Sequence, residues 1–328
     1  MSSTVKVLKK MAVARQAATA FMTTDFFTVP FLSDGTSKKY DPIADESIFG
    51  NPFMNLPLQG NLTQEGSIDT NLDVYSSLPW LQMIFDQADT EYTNFRFETE
   101  RDETTGLSLA ILNSVNCLQY ANIYPKSLKI SGGVNDIIKS AIDVTAMTTQ
   151  VRAATSAFPT SFKATYGEVP KQPLTFPNLG GTNGYFRIGP QSAALDSGDD
   201  LNIESFEIEI ITGYSDQRYN SRGILTPLFA GGGRPSVSLS FKIPRYSAET
   251  FQNYRDDWTK LQIELYLYSD ATNALKIQFP NVVLDANLTD DDITGQDITV
   301  SVGRNGINTT YVNSNMTFWS PIKMILTN

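Results

Sequence analysis

The sequence predicts a mainly β fold: two similar antiparallel β-barrel or sandwich domains, each with a flanking α-helix. Three observations carry that expectation. First, apolar and polar residues alternate with a period of two in several runs, as strands with one dry and one wet face require. Ile68, Thr70, Leu72 and Val74 alternate with Ser67, Asp69, Asn71 and Asp73, and Val237, Leu239, Phe241 and Ile243 with Ser236, Ser238, Ser240 and Lys242. Leu261, Ile263, Leu265 and Leu267 alternate with Lys260, Gln262, Glu264 and Tyr266, and Ile298, Val300 and Val302 with Asp297, Thr299 and Ser301. The apolar runs and intervening helices of a parallel α/β sheet are missing. The second observation is an order of elements that occurs twice, and the third is a Pro/Gly-rich stretch between the two copies.

Taken in order, the N-terminal region lacks strong alternation, and a short helical stretch is expected over about 5–19. A helix is expected over 77–87, with Ser77 as cap, Pro79 in the first turn, and Leu78, Leu81 and Phe85 on one face. Cys117-Leu118-Gln119-Tyr120 reads as strand, with Cys117 a small core residue. Three prolines and three glycines fall between Val169 and Gly184, which no central strand or helix tolerates. The expected domains are therefore 1–168 and 185–328, joined by a linker at 169–184. A strand over 201–212 precedes a long segment, 213–234, containing Tyr214, Arg218, Tyr219, Arg222 and three consecutive glycines. A loop of that length inside a domain is usually functional or disordered, and Tyr and Arg anchor interfaces, so these four are candidates for inter-subunit contact, with a floppy insertion as the alternative. A second helix is expected over 247–258, capped by Ser247, with Phe251, Tyr254 and Trp258 on one face.

Each helix follows an alternating strand and a tyrosine, Tyr75 or Tyr246. Ile123-Tyr124-Pro125-Lys126-Ser127-Leu128 precedes Gln278-Phe279-Pro280-Asn281-Val282-Val283 by 155 residues, and Asn135-Asp136-Ile137-Ile138 precedes Asp290-Asp291-Asp292-Ile293 by the same offset. Asp143-Val144-Thr145 then faces Asp297-Ile298-Thr299. Both halves run alternating strand, helix, strands, aromatic-Pro turn, acidic turn, closing strand, which suggests a duplication.

Composition narrows the function. A net charge of -10 would repel a phosphate backbone, whereas proteins that grip DNA are basic. Histidine is absent, which removes the commonest general base and transition-metal ligand. The single cysteine allows neither an internal disulfide nor a zinc cluster. Asp290-Asp291-Asp292 lacks the Gly and distal Glu of an EF-hand and reads as a solvated turn. Gly180-Gly181 and Gly231-Gly232-Gly233 lack the Lys-Ser/Thr of a phosphate loop and read as flexible loop tips. Sequons at Asn61, Asn287, Asn308 and Asn315 matter only in a secreted protein. No apolar run approaches the ~20 residues of a membrane helix, and the lysines near Met1 precede no apolar h-region. No enzyme activity, cofactor, metal or membrane association is expected.

Several stretches resemble the tail tube proteins of siphophages, in particular the larger, two-domain type. They are Met11-Ala12-Val13-Ala14-Arg15-Gln16 followed by an aromatic- and Pro-rich loop, and a strand pair over 60–74 with Gly66-Ser67-Ile68 opening its second member. In the second half, Ala194-Leu195-Asp196-Ser197-Gly198-Asp199-Asp200-Leu201 leads into the strand 203–211, and Pro235-Ser236-Val237-Ser238-Leu239 precedes the 247–258 helix. The resemblance implies a structural virion protein assembled in the host cytoplasm into the tail. It implies trimeric, pseudo-hexameric rings that stack head to tail, with tape-measure, distal-tail and terminator proteins as partners, and DNA crossing the lumen during ejection without specific binding. With about four lumen strands per domain, 24 strands at ~4.8 Å close a barrel roughly 37–48 Å across. Acidic and polar lumen residues keep phosphates sliding, and the wet-face candidates are Asp69, Asp73, Glu207, Glu209, Gln262 and Glu264. Alternation does not distinguish lumen from outer solvent. Rival readings are a distal-tail, terminator or decoration protein, a carbohydrate-binding or adhesin module, and a carboxylate-pair glycosidase. The second lacks an aromatic platform, since Trp80 and Trp258 fall on helix patterns and only Trp319 on a strand; the third lacks an identifiable acid–base pair.

Overall fold

A computed structural model of the chain describes residues 9–16, 20–43, 58–87, 93–97, 106–134, 136–146, 151–163, 172–175, 184–218, 229–232, 235–243, 253–254, 256–270, 273–284, 298–302 and 320–327. Before the central stretch the strands are β1 (Lys10–Arg15), β2 (Phe27–Val29), β3 (Phe31–Asp34), β4 (Ser37–Ile43), β5 (Leu58–Asn71), β6 (Asn94–Arg96), β7 (Leu107–Leu112), β8 (Cys117–Gly133), β9 (Lys139–Ala146) and β10 (Val151–Ala153). After it come β11 (Tyr185–Pro190), β12 (Ser205–Ile211), β13 (Tyr214–Arg218), β14 (Phe229–Gly232), β15 (Ser236–Ile243), β16 (Leu261–Asp270), β17 (Asn273–Val282), β18 (Ile298–Val302) and β19 (Lys323–Thr327). Helix α1 (Leu78–Ile84) lies between β5 and β6. The fold is mainly β, its named strands pair antiparallel, and no closed barrel forms among the described residues.

The longest sheet runs β3/β4–β5–β9–β8–β12–β15–β18 through successive antiparallel registers. The N-terminal part of β8 belongs to a second layer, β2–β1–β7–β8–β10. A register shift between Pro125 and Ser127 marks the bulge where β8 passes from one layer to the other. A five-stranded sheet, β11–β16–β17–β19–β6, forms the third layer. One contiguous apolar core joins them, from Met11 and Ile68 through Ile130, Ile208 and Leu239 to Ile263 and Met324.

Pairings recur on the two sides of the central stretch. β5 lies between β3/β4 and β9, as β15 lies between β12 and β18. β7 lies between β1 and β8, as β16 lies between β11 and β17. The sides are also interwoven: β8 pairs with β12 over seven residues, and β6 completes the sheet of β19. Within the expected linker, Leu174 is fully buried, donates its N–H to the Leu72 carbonyl and accepts from Ile138 N–H.

Several sequence expectations need correction. Within the 5–19 span expected as helix, the described residues form strand β1, buried on both faces: Met11 and Val13 enter the main core, while Ala12 and Ala14 join a smaller cluster with Phe26, Ala110 and Cys117. Two dry faces erase alternation and leave a small-residue run that reads as helix. The 60–74 strand pair is the single strand β5. The aromatic-Pro turns are strand interiors, with Pro125 and Pro280 beside register shifts, where a missing N–H is tolerated. Gly231 and Gly232 lie in β14, paired with β13, so the 213–234 segment has a hairpin base rather than a loop throughout. The Asp290–Asp292 turn, Gly180-Gly181, Trp319 and the sequons at Asn287, Asn308 and Asn315 lie outside the described residues.

Candidate functional site

The long sheet has one face in the core and one open to solvent, and the open face is the candidate site. Alternation sets it up, with β15 burying Val237, Leu239, Phe241 and Ile243 and half-exposing Ser236, Ser238, Ser240 and Lys242. Antiparallel register then aligns polar residues in rows across strands. One row runs Ser67, Asp143, Ser127, Ile211, Ser236; the next Asp69, Ala141, Lys129, Glu209, Ser238; the third Asn71, Lys139, Ser131, Glu207, Ser240.

Charges on this face are largely mutually neutralised. Lys129 meets Glu207 at 2.8 Å, Lys126 meets Glu65 at 3.4 Å, Lys139 meets Asp136 at 3.1 Å and Lys242 meets Glu204 at 3.1 Å. Such exposed pairs contribute little stability, but each removes a cation that a phosphate could grip. Asp69 accepts from the Ser33 hydroxyl and Asp143 from the Ser127 hydroxyl at 2.9 Å. Asp69, Asp143 and Glu209 form no ion pair among the described residues. Among the residues whose side chains are described, and with Lys39 opposite Thr63 included, the face and its ends carry five lysines against seven carboxylates: Glu65, Asp69, Asp136, Asp143, Glu204, Glu207 and Glu209.

The structure brings Asp69, Glu207 and Glu209 onto this face and removes three other candidates from any wet face. Asp73 is 1% exposed and organises the entry to α1, accepting from the N–H groups of Tyr75 and Ser76 at 2.9 and 2.8 Å and from the Ser76 hydroxyl. Burial pushes its carboxyl above the usual range, against the pull of the Ser76 and Tyr75 hydrogen bonds. Ser77, expected as the cap, makes no side-chain cap bond; its hydroxyl donates to the Asp73 carbonyl. Gln262 is fully buried and donates to the carbonyls of Pro190 and Ala193 at 3.3 and 2.5 Å.

Glu264 is buried in the third layer's polar network. It accepts from Tyr185 at 2.5 Å and Gln278 at 2.6 Å, with the Lys276 ammonium at 3.3 Å. Burial alone would raise its carboxyl; the Tyr185 and Gln278 hydrogen bonds and Lys276 together hold it below the usual range. Tyr185 in turn is pushed up, first by burial and then by Glu264, and its ring stacks on Tyr266 at 5.3 Å.

Among the inter-subunit candidates, Tyr214 is fully buried against Tyr124, with ring centroids 5.2 Å apart, so it cannot form a surface contact. Arg218 sits in β13 opposite Phe229, while Tyr219 and Arg222 lie outside the described residues. The sequence reading missed Lys129 and Asp143 on this face. The alternation of Ser127, Lys129 and Ser131 with Leu128 and Ile130 signals that face, but a turn assigned at Pro125 concealed it.

Comparison with known proteins adds to this geometry. Residues 8–307 match a family model described as phage tail tube protein. No curated protein matches the chain. Among solved structures, a chain in the cryo-EM structure of the anti-feeding prophage baseplate, 6-fold symmetrised, aligns with 10% identity over 47% of this chain and 98% of that one, at a TM-score of 0.34. A score that low adds nothing to the case.

Proposed function

This chain belongs to the phage tail tube protein family, a family of structural virion proteins, and on that premise we propose that it is the major tube subunit. Three copies close a ring, rings stack, and the open face of the long sheet lines the lumen. The recurring pairings around β5 and β15, and around β7 and β16, support descent from a duplicated unit of the siphophage type. They make the three-copy ring pseudo-sixfold. β5 and β15 are four antiparallel steps apart in one sheet and therefore run the same way, as successive units around a ring axis must. The junction of β8 with β12 is then the internal version of a contact between subunits, with the β3/β4 edge of the next copy taking the place of β12. An open, unclosed edge of this kind is a ready template for pairing.

The observation that carries the reading is the open face itself: serine-rich, with an excess of carboxylates, and with Lys126, Lys129, Lys139 and Lys242 each tied to a carboxylate. Such a surface excludes phosphates without gripping them, so DNA slides. The subunit works as a wall, with no catalytic step, and meets other tail proteins at the tube ends. Charge reversal tests this directly. Assembled Glu209→Lys or Asp69→Lys should retain duplex DNA at low salt and release it as salt rises, whereas the wild-type assembly retains none. Equal DNA retention by wild type and variants would contradict the assignment of this face.

A further inference from the structure

The two halves end their equivalent helices in the same way but with very different residues. After α1, Gln87 N–H bonds back to the Gln82 carbonyl at 2.8 Å, and the residue between, Asp86, takes a left-handed φ of 54°. After the helical turn holding Asn253, Tyr254 and Asp256, Thr259 N–H bonds back to the Tyr254 carbonyl at 2.9 Å, and Trp258 takes a φ of 49°. This is the closing position where glycine is favoured, and a bulky side chain there is strained. In the first half Asp86 compensates by facing Arg15 at 3.8 Å with its carboxylate buried. In the second half the tryptophan remains 71% exposed. A strained, outward tryptophan at a glycine position is a side chain suited to contact with a partner rather than to folding.

We propose that Trp258 is the anchor by which one copy of this chain docks on the next ring, inserting into a groove at the opposite end of a second copy. The inference rests on the tube reading above. The groove, about 830 Å³, lies along β1 and the β2–β3 connection, with walls that include Phe31, Leu32, Phe158 and Phe162 and the lysines Lys9 and Lys10. Leu32 is 58% exposed there, so an apolar floor stands open to a partner. Aromatic walls beside ammonium groups suit an indole, through ring contacts and cation–π attraction.

The groove and the helix closure stand at opposite ends of β1, and Trp258 stands beside the matching end of β11. In the first half, the groove holds the start of β1, while the α1 closure reaches Arg15 at its far end. In the second half, Trp258 stands beside the start of β16, where Gln191 N–H bonds the Lys260 carbonyl after β11, the counterpart of β1. Because β5 and β15 run in the same direction, corresponding ends of the halves face the same way. A knob at one end and a pocket at the other make a heterologous contact, which generates an open filament rather than a closed particle.

The test uses the full chain and two substitutions on different partners of the contact. Trp258→Gly suits the left-handed backbone, so the monomer should melt at the same temperature or higher, while the critical concentration for tube growth rises about tenfold or more. Leu32→Glu, in the groove, should raise it similarly, and the double variant should be little worse than either single one. Electron microscopy should show rings persisting in both. Wild-type tubes alongside Trp258→Gly tubes of unchanged critical concentration would overturn this contact and leave the tube reading intact. A wild type that forms neither rings nor tubes would overturn the tube reading itself.

Discussion

Asp73 and Glu264 occupy polar positions of alternating runs, yet both are covered, and their carboxyls are shifted in opposite directions. Asp73 is raised by burial, so its stabilising contribution is fully present below the ordinary carboxylate range and is lost as pH rises through its folded value. Glu264 is held low, so its contribution is present above the ordinary range and is lost as pH falls through its folded value. Thermal melts over a pH series should separate them. Glu264→Gln should cost about 1–2 kcal/mol near neutral pH, with the gap to wild type closing in acid. Asp73→Asn retains an acceptor for the Tyr75 and Ser76 N–H groups, and wild type should gain on it as pH falls. Gaps that move the other way would mean that the assigned partners do not govern these groups. Alternation reveals which residues share a face, but not which layer covers it. That is why the wet-face positions of Asp69 and Glu209 are legible, while the burial of Gln262 and Glu264, one sheet away, is not.

Among the elements, the strands with one wet face are readable from sequence alone: β15 and the second half of β5 follow the alternation residue by residue. Those with two dry faces were not, and β1 is the clearest case. Proline also misled, because a bulge inside a long strand and a turn between two short ones share the same local chemistry. Gly66 shows why β5 continues unbroken through a residue that looked like a strand opening. A Cβ there would meet Thr36 Cα at 2.4 Å and the Gly35 carbonyl at 2.6 Å, so glycine lets the β3–β4 connection cross β5 in contact. Gly66→Ala should therefore force that edge apart and cost about 1–3 kcal/mol, with hydrogen exchange at Ser37–Tyr40 rising well before global unfolding. Uniform exchange across the molecule would show that the crossing is not held by this contact. The same edge is the one proposed to meet the neighbouring subunit, so loosening it should also slow ring closure.

At the scale of the whole molecule, the central Pro/Gly stretch reads as a linker between two halves. Across it β8 pairs with β12, β6 is built into the far sheet, and Leu174 is hydrogen-bonded between Leu72 and Ile138. Sequence patterns are local, and none of those long-range pairings leaves a mark within a few residues. The physical consequence is a single sheet spanning both halves with one open face. In the proposed assembly, three such sheets close edge to edge into a hollow cylinder whose inner surface is the serine and carboxylate face. A cryo-EM reconstruction of the assembled protein measures this most directly. The account predicts three copies per ring, β5 to β15 forming a continuous inner wall, and Asp69, Glu207 and Glu209 pointing into the lumen; a ring with that face turned outward, or an assembly with no central channel, would contradict it.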